Sequence, residues 1–213
     1  MSQLNTCLHL LLCDFRLLFR RKLIILTPFL FLGAVIAFIP MAVEIDSKYL
    51  NNVALGFLLI FSIFVTNWVC GDFIYEDLRD GTLQFYQRAG NSSTFFFITK
   101  YIFCWLITGL PVVVIAAMIG GSQIILAFAL ATMINILLSL VVMVCSSTIK
   151  KSHMLVSFIS LPFYLPVLVF SSSIISSADS ELIRHNIYLL FALLLFMAPV
   201  AIFLGTYALK NER

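Results

Sequence analysis

Five stretches of this chain run without a charged side chain. Leu23–Val43 has 21 residues, Tyr49–Gly71 has 23, Tyr101–Ile149 has 49, Ser152–Ala178 has 27 and Asn186–Leu209 has 24. A helix needs about 20 residues to cross the hydrocarbon core of a bilayer. The four shorter runs are therefore one crossing each and the 49-residue run is two. Within that long run, Gly120-Gly121-Ser122-Gln123 is the place with the glycine and polar content of a turn. The spans predicted in this way are 23–43, 49–71, 101–120, 124–149, 153–178 and 186–209, six in all. The runs are apolar all round and lack the period-two alternation of a barrel strand. The expected fold class is an all-α integral membrane bundle whose helices satisfy their own backbone groups.

Ahead of the first run, Leu4, Leu8, Leu11, Phe15, Leu18 and Phe19 recur at helical spacing, while Asn5, His9, Asp14, Arg16 and Arg20 fill the remaining arc. Residues 1–22 thus read as an amphipathic helix lying in the membrane interface. The next apolar run is too long for the core of a signal peptide and lacks an evident small-residue cleavage site, so the first span is expected to be retained.

Composition agrees with this picture. The chain is 62% hydrophobic and 11% charged, with mean hydropathy +1.09, far from the usage of a soluble domain. Charge then adds an orientation. Arg16, Arg20, Arg21 and Lys22 precede the first span, Arg79, Arg88 and Lys100 lie between the second and third, Lys150 and Lys151 follow the fourth, and Lys210 and Arg213 close the chain. Of the 13 basic residues, Lys48 and Arg184 alone fall on the opposite side. The positive-inside rule places both termini and the 72–100 loop in the cytoplasm. The N-terminus lacks a transit-peptide composition, which favours a bacterial inner membrane. The net charge of +3 reflects this loop bias and gives no reason to invoke nucleic acid.

Several chemistries have no residues to carry them. The cysteines, Cys7, Cys13, Cys70, Cys104 and Cys145, show no C-x-x-C spacing, and His9, His153 and His185 all fall outside mid-span, so neither a disulfide nor a metal site is expected. His185, in a short outer loop, could act as an axial haem ligand, although a loop histidine is ordinarily plain surface. No base accompanies a buried serine, and no charged side chain interrupts a span as an ion-coupled carrier would require. The most polar interior groups are Thr66, Asn67, Thr108 and Asn135, which can hydrogen-bond between helices. No phosphate-binding G-x-x-x-x-G-K-[ST] occurs. Any ATP consumed must therefore be bound by another subunit, and the chain itself is not expected to be an enzyme. All six prolines, Pro28, Pro40, Pro111, Pro162, Pro166 and Pro199, lie in or at the ends of spans. Gly109-Leu110-Pro111 midway along the third helix, and Pro162 with Pro166 on one face of the fifth, predict kinks.

The remaining polar feature is an acidic cluster. Of ten acidic residues, Asp72, Glu76, Asp77 and Asp80 fall within nine positions of the segment GDFIYEDLRDGTLQFYQR. On a helix continuing from the second span, Asp72, Glu76 and Asp80 form one stripe with Arg79 able to pair with Glu76, while Ile74 and Leu78 face another way. Gly81 stops this helix and Thr82 caps a second short one over Leu83–Gln87. A loop, Arg88 to Ser93, leads to the next span, which Ser93 or Thr94 can cap. Four readings fit these residues: a metal site, poorly supported without histidine or cysteine; a carboxylate pair for acid–base catalysis, for which one solvent-facing helix supplies no cleft; a solvated charged loop; or a rigid docking element for a partner.

Glu76-Asp77-Leu78-Arg79-Asp80-Gly81-Thr82-Leu83, with Thr108-Gly109-Leu110-Pro111 and Leu161-Pro162-Phe163-Tyr164-Leu165-Pro166 after it, resembles the haem exporter protein B family in order and spacing. That family supplies the permease subunit of the ABC complex in c-type cytochrome maturation. The E-x-x-x-G-T-L element, here Glu76 to Leu83, is also similar to the first cytoplasmic loop of type-2 ABC exporters in general. The resemblance implies a type-2 ABC exporter-like permease whose coupling helix, Asp72 with Glu76 to Leu83, seats in an ATP-binding subunit. It further implies a permease homodimer, haem-handling membrane subunits as partners, and haem as the substrate, with no cofactor resident in this chain. Family members tend to carry prolines after the coupling motif, where this chain has Arg88-Ala89-Gly90-Asn91-Ser92-Ser93. The alternatives are a type-2 permease for a lipid, drug or polysaccharide, and a membrane scaffold that transports nothing.

Overall fold

The computed structural model describes residues 11–16, 30, 33, 47–88, 92–149, 153–177 and 179–211. The predicted first span, 23–43, lies outside these residues apart from Leu30 and Gly33, and the expected interfacial helix over 1–22 is described only at 11–16, which is helical. The remaining elements are α1 (Ser47–Arg79), α2 (Thr82–Arg88), α3 (Ser93–Cys104), a π-helical turn (Trp105–Gly109), α4 (Leu110–Ile119), α5 (Ser122–Ile149), α6 (His153–Ser176) and α7 (Ser180–Asn211). Among the described residues all regular structure is helical.

Length decides which helices project beyond a bilayer. At 1.5 Å per residue, the 33 residues of α1 extend about 50 Å, well over the ~30 Å of a hydrocarbon core. Its apolar part is Leu50–Ile74, so the acidic end, from Glu76 to Arg79, stands clear of it. Three more helical stretches are long and apolar enough to cross: Ser93–Ile119, Ser122–Cys145 and Ser180–Lys210. Helix α6 adds a shorter apolar stretch, Leu161–Ser176. The described residues thus show an all-helical membrane protein with four helices of spanning length, against six predicted crossings. The difference arises because the first predicted span is not described and because the side chains of 153–160, the first third of the 24-residue α6, lie outside the described residues.

The stretch Ser93–Ile119 is one continuous rod made of three pieces. Pro111 has no N–H to offer the carbonyl of Ile107, and its ring crowds the preceding turn. The helix answers by widening: the Leu110 N–H reaches back five residues to the Trp105 carbonyl, and Trp105–Gly109 adopts the π form. Gly109 closes this wide turn against the Trp105 indole, where an added Cβ would stand 2.7 Å from Trp105 Cδ1. At the far end Gly120 is extended, with φ −119° and ψ 174°, and Gly121 accepts the first hydrogen bonds of α5 from Ile124 and Ile125.

Helix α5 is the axis of the bundle and packs on α1, α4, α6 and α7. Towards its N-terminal end the core contains Leu55, Leu58, Phe128, Ile134, Val167 and Leu190. Towards its C-terminal end it contains Ile74, Leu83, Phe96, Leu140, Val144 and Leu209. A third cluster, Val65, Val69, Phe73, Phe103 and Ile107, receives Leu11 and Phe15 from the N-terminal segment. Helix α7 turns Phe191, Leu195, Phe196, Phe203 and Tyr207 outward, which costs little where the surroundings are lipid.

Polar side chains also join helices inside the bundle. The fully buried Tyr164 hydroxyl of α6 donates to Asn67 Oδ1 of α1 at 3.2 Å and lies 3.0 Å from Ser139 Oγ of α5. Ser139 in turn donates to the Asn135 carbonyl at 2.8 Å. Pro162 and Pro166 lie within α6 on its exposed side, so the helix buries Tyr164 and Val167 and turns its interrupted hydrogen-bond ladder outward.

Candidate functional site

The acidic segment folds as a helix, a two-residue turn and a second helix. Helix α1 runs unbroken through Asp72, Glu76, Asp77, Leu78 and Arg79, and Asp80 and Gly81 form the turn. Gly81 has φ 71°, the left-handed conformation that a residue without Cβ adopts at no steric cost, and it ends the helix there. Helix α2 then runs Thr82–Arg88, slightly longer than the Leu83–Gln87 read from the sequence, and the Phe85 N–H donates to the Gly81 carbonyl at 3.1 Å. The side chains of Glu76, Leu78 and Arg79 lie outside the described residues, and with them the expected Glu76–Arg79 pair.

Apolar anchors fix this hairpin to the bundle. Leu83 and Tyr86 are buried, with the Tyr86 ring 5.6 Å from that of Phe96 on α3, while Phe85 on the other side of α2 is 69% exposed. Gln87 donates to Ser93 Oγ at 3.1 Å and to the Leu209 carbonyl of α7 at 3.4 Å. The cap of α3 is Ser92, whose Oγ accepts from the Thr94 N–H at 3.2 Å, one residue before the caps suggested by the sequence. Its extended backbone, φ −77° and ψ 137°, suits the cap position.

The three carboxylates of the segment whose side chains are described, Asp72, Asp77 and Asp80, separate into different environments. Asp80 is exposed. Asp72 is half-buried and accepts a hydrogen bond from Trp68 Nε1, one turn earlier, at 3.1 Å. Asp77 turns inward to Lys100 of α3, whose Nζ stands 2.6 Å from Asp77 Oδ2 and 2.7 Å from Asp14 Oδ2. Both contacts are close ion pairs, and the one with Asp14 is also a well-formed hydrogen bond. The Lys100 side chain is 2% exposed, and its ammonium lies 5.5 Å and 5.8 Å from the ring centroids of Phe96 and Phe103. Burial pushes the carboxyls of Asp14 and Asp77 above the usual aspartate range, with the Lys100 charge opposing that rise in both.

Sequence reasoning singled out Asp77 but missed both of its companions. It assigned Lys100 to the loop because the charge ends an apolar run, yet α3 begins seven residues earlier and carries the lysine into the packed interior. Asp14 is 86 residues from Lys100 along the chain, and no local pattern joins them. The one available signal was a lone acid among the basic residues of the N-terminal helix.

The site offers no group of three or more metal-ligating side chains among the described residues. The hairpin is continuous with one apolar helix and packed against two others, with Phe85 and Asp80 exposed on its outside. Gly109, Pro111, Pro162 and Pro166 are remote from it along the helices and form no common site with it.

Comparison with known proteins gives this arrangement a family. A family model described as CcmB protein matches residues 5–212. The chain is also similar to Heme exporter protein B of Pseudomonas aeruginosa, 27% identical over 203 residues that cover 89% of this chain and 91% of that protein. Heme exporter protein B of Haemophilus influenzae is 26% identical over 176 residues, covering 78% and 79% respectively. With the acidic hairpin, the π turn and the proline-bearing α6 all inside the matched range, the chain belongs to the CcmB protein family.

Proposed function

We propose that this chain is the membrane permease subunit of an ABC complex that exports or delivers haem for c-type cytochrome assembly, and that the hairpin Asp72–Leu83 is its coupling element. The observation that supports this most directly is a helix–turn–helix held rigid by a left-handed Gly81 and buried Leu83, and continuous with an apolar helix, in a chain of this family. The names of the two curated relatives point to haem as the cargo. In this reading the chain has six crossings and a type-2 exporter-like architecture in a bacterial inner membrane, with both termini and the 72–100 loop in the cytoplasm. It works as a homodimer beside haem-handling membrane subunits. It performs no hydrolysis itself, because ATP is bound and cleaved by the partner. Closure of the ATP-binding pair pushes the hairpin, and the rigid α1 and α3 carry the displacement into the bundle, where the wide turn at Trp105–Gly109 and the prolines of α6 give it room to deform.

Purification of the tagged protein in mild detergent tests this. A co-purifying P-loop ATPase is expected, together with haem-handling subunits. Gly81→Val forces a β-branched residue into φ 71° and Glu76→Lys reverses one charge of the acidic segment. Both variants should insert normally yet cut holo-cytochrome c yield at least tenfold. Normal yield in both, or recovery without any ATPase, would overturn the assignment.

A further inference from the structure

We propose that Asp14, Lys100 and Asp77 form a latch that fastens the N-terminal helical segment to the coupling hairpin, making Lys100 a positioning residue through which that segment shares the hairpin's movement. The proposal rests on the reading of Asp72–Leu83 as the coupling element. Three separate pieces of chain meet at one ammonium: the segment 11–16, the end of α1 that leads into the hairpin, and α3. Aromatic packing aligns the same corner, because the Phe103 ring takes Phe15 edge-on at 5.4 Å and Phe73 edge-on at 5.0 Å. The N-terminal segment is thus seated by its apolar side on α1 and α3 and tied by its acid to a lysine between them.

Charge is an odd choice if holding were the whole purpose. Apolar side chains of similar size would hold a buried contact as well or better, since a buried ion pair loses hydration that its attraction barely restores. What charges add is a defined register and a contact that breaks at a definite point. Lys100 holds both arms at once, 2.7 Å from Asp14 Oδ2 and 2.6 Å from Asp77 Oδ2, so a displacement of the hairpin relative to the N-terminal segment must stretch one of the two contacts. Two carboxylates on one lysine also keep the cluster paired when either acid is withdrawn.

The test uses the complex purified with its ATP-binding partner and the same variants in cells. Asp14→Asn leaves the Lys100–Asp77 pair intact, so the protein should reach normal membrane levels with partner ATPase activity within about twofold of wild type. Amide hydrogen exchange over residues 11–16 should rise at least tenfold, and holo-cytochrome c yield should fall at least fivefold. A merely structural role would lower protein level and ATPase activity along with yield. Asp14→Lys, which sets a second ammonium against Lys100, should fail, whereas Asp14→Glu, which keeps a carboxylate on the N-terminal segment, should retain at least half of the yield. Unchanged exchange in Asp14→Asn, normal yield despite fast exchange, or equal yields in Asp14→Lys and Asp14→Glu would overturn the latch. If Asp14→Asn behaves as expected while Gly81→Val retains full yield, the latch stands and the coupling assignment of the hairpin is what fails.

Discussion

Lys100 and Tyr164 are both buried side chains that join helices distant in sequence, and they do it with different chemistry. Lys100 gathers two carboxylates near the end of the bundle, where α1 outlasts its apolar stretch and the N-terminal segment arrives. Its aliphatic stem crosses apolar ground beside Phe96 and Phe103 before the ammonium meets its partners. Tyr164 sits deep in the apolar helix α6 and uses one neutral hydroxyl, shared between Asn67 and Ser139. A full charge at that depth would cost several kcal/mol of lost hydration, whereas a hydroxyl and an amide ask for much less. Where water is near, the protein uses charge and gains a joint that is specific and separable. Where it is far, the protein uses neutral hydrogen bonds that hold without switching.

Removing the shared partner at each place is the sharpest way to break this contrast. Lys100→Gln leaves Asp14 and Asp77 buried without a cation, and should destabilise the folded protein by about 3–5 kcal/mol, read as a sharp drop in membrane level and in thermal stability in detergent. Tyr164→Phe keeps the ring and deletes the hydroxyl, and should cost only about 0.6–1.7 kcal/mol in the same assay. If the two losses were equal, the distinction between a charged and a neutral joint would have no energetic meaning.

Acidification sharpens the comparison further. The carboxyls of Asp14 and Asp77 lie above the usual aspartate range, so the folded state takes up a proton there before the unfolded chain does. The stability this contributes is fully present below the ordinary aspartate pKa and is lost as pH rises through the raised values. One bound proton turns two acids and a lysine into a neutral set with an intact pair. Thermal unfolding measured from pH 7 down to pH 5 should show no loss attributable to this corner, and Asp14→Asn should flatten whatever gain appears. The smallest effect is expected at Trp68→Phe, which removes an exposed hydrogen bond to Asp72 and should shift stability by less than about 0.5 kcal/mol.

The same contrast shows what could be read from the sequence. The helices came from charge-free runs, the break at Gly120–Gly121 from composition, and the stop at Gly81 from its residue type, because each depends on neighbours a few positions away. The hairpin at the candidate site was legible for that reason, down to an α2 that runs Thr82–Arg88 where Leu83–Gln87 was expected. The latch was not, because its partners come together only through tertiary packing across 86 residues. Lys100 misled by its own charge, since a lysine at the border of an apolar run reads as solvent-facing until two buried acids are placed beside it. The Tyr164 joint was half visible: Asn67 stood out as a polar group in a span, whereas a tyrosine among prolines and leucines gave no hint of its contacts.

The wide turn at Trp105–Gly109 has a consequence for any substitution scan of this helix. One extra residue in a turn offsets the rest of the rod by about 100°, so the face that α3 shows to the bundle does not continue along the same line of residues into α4. Sensitive positions counted at helical spacing from Phe96 and Phe103 will fall out of step beyond Gly109 and resume, one residue late, at Val112 and Ala116, both buried. A scan phased on a single regular helix would expect burial at exposed positions such as Leu110 and Val114 and miss it at Val112 and Ala116.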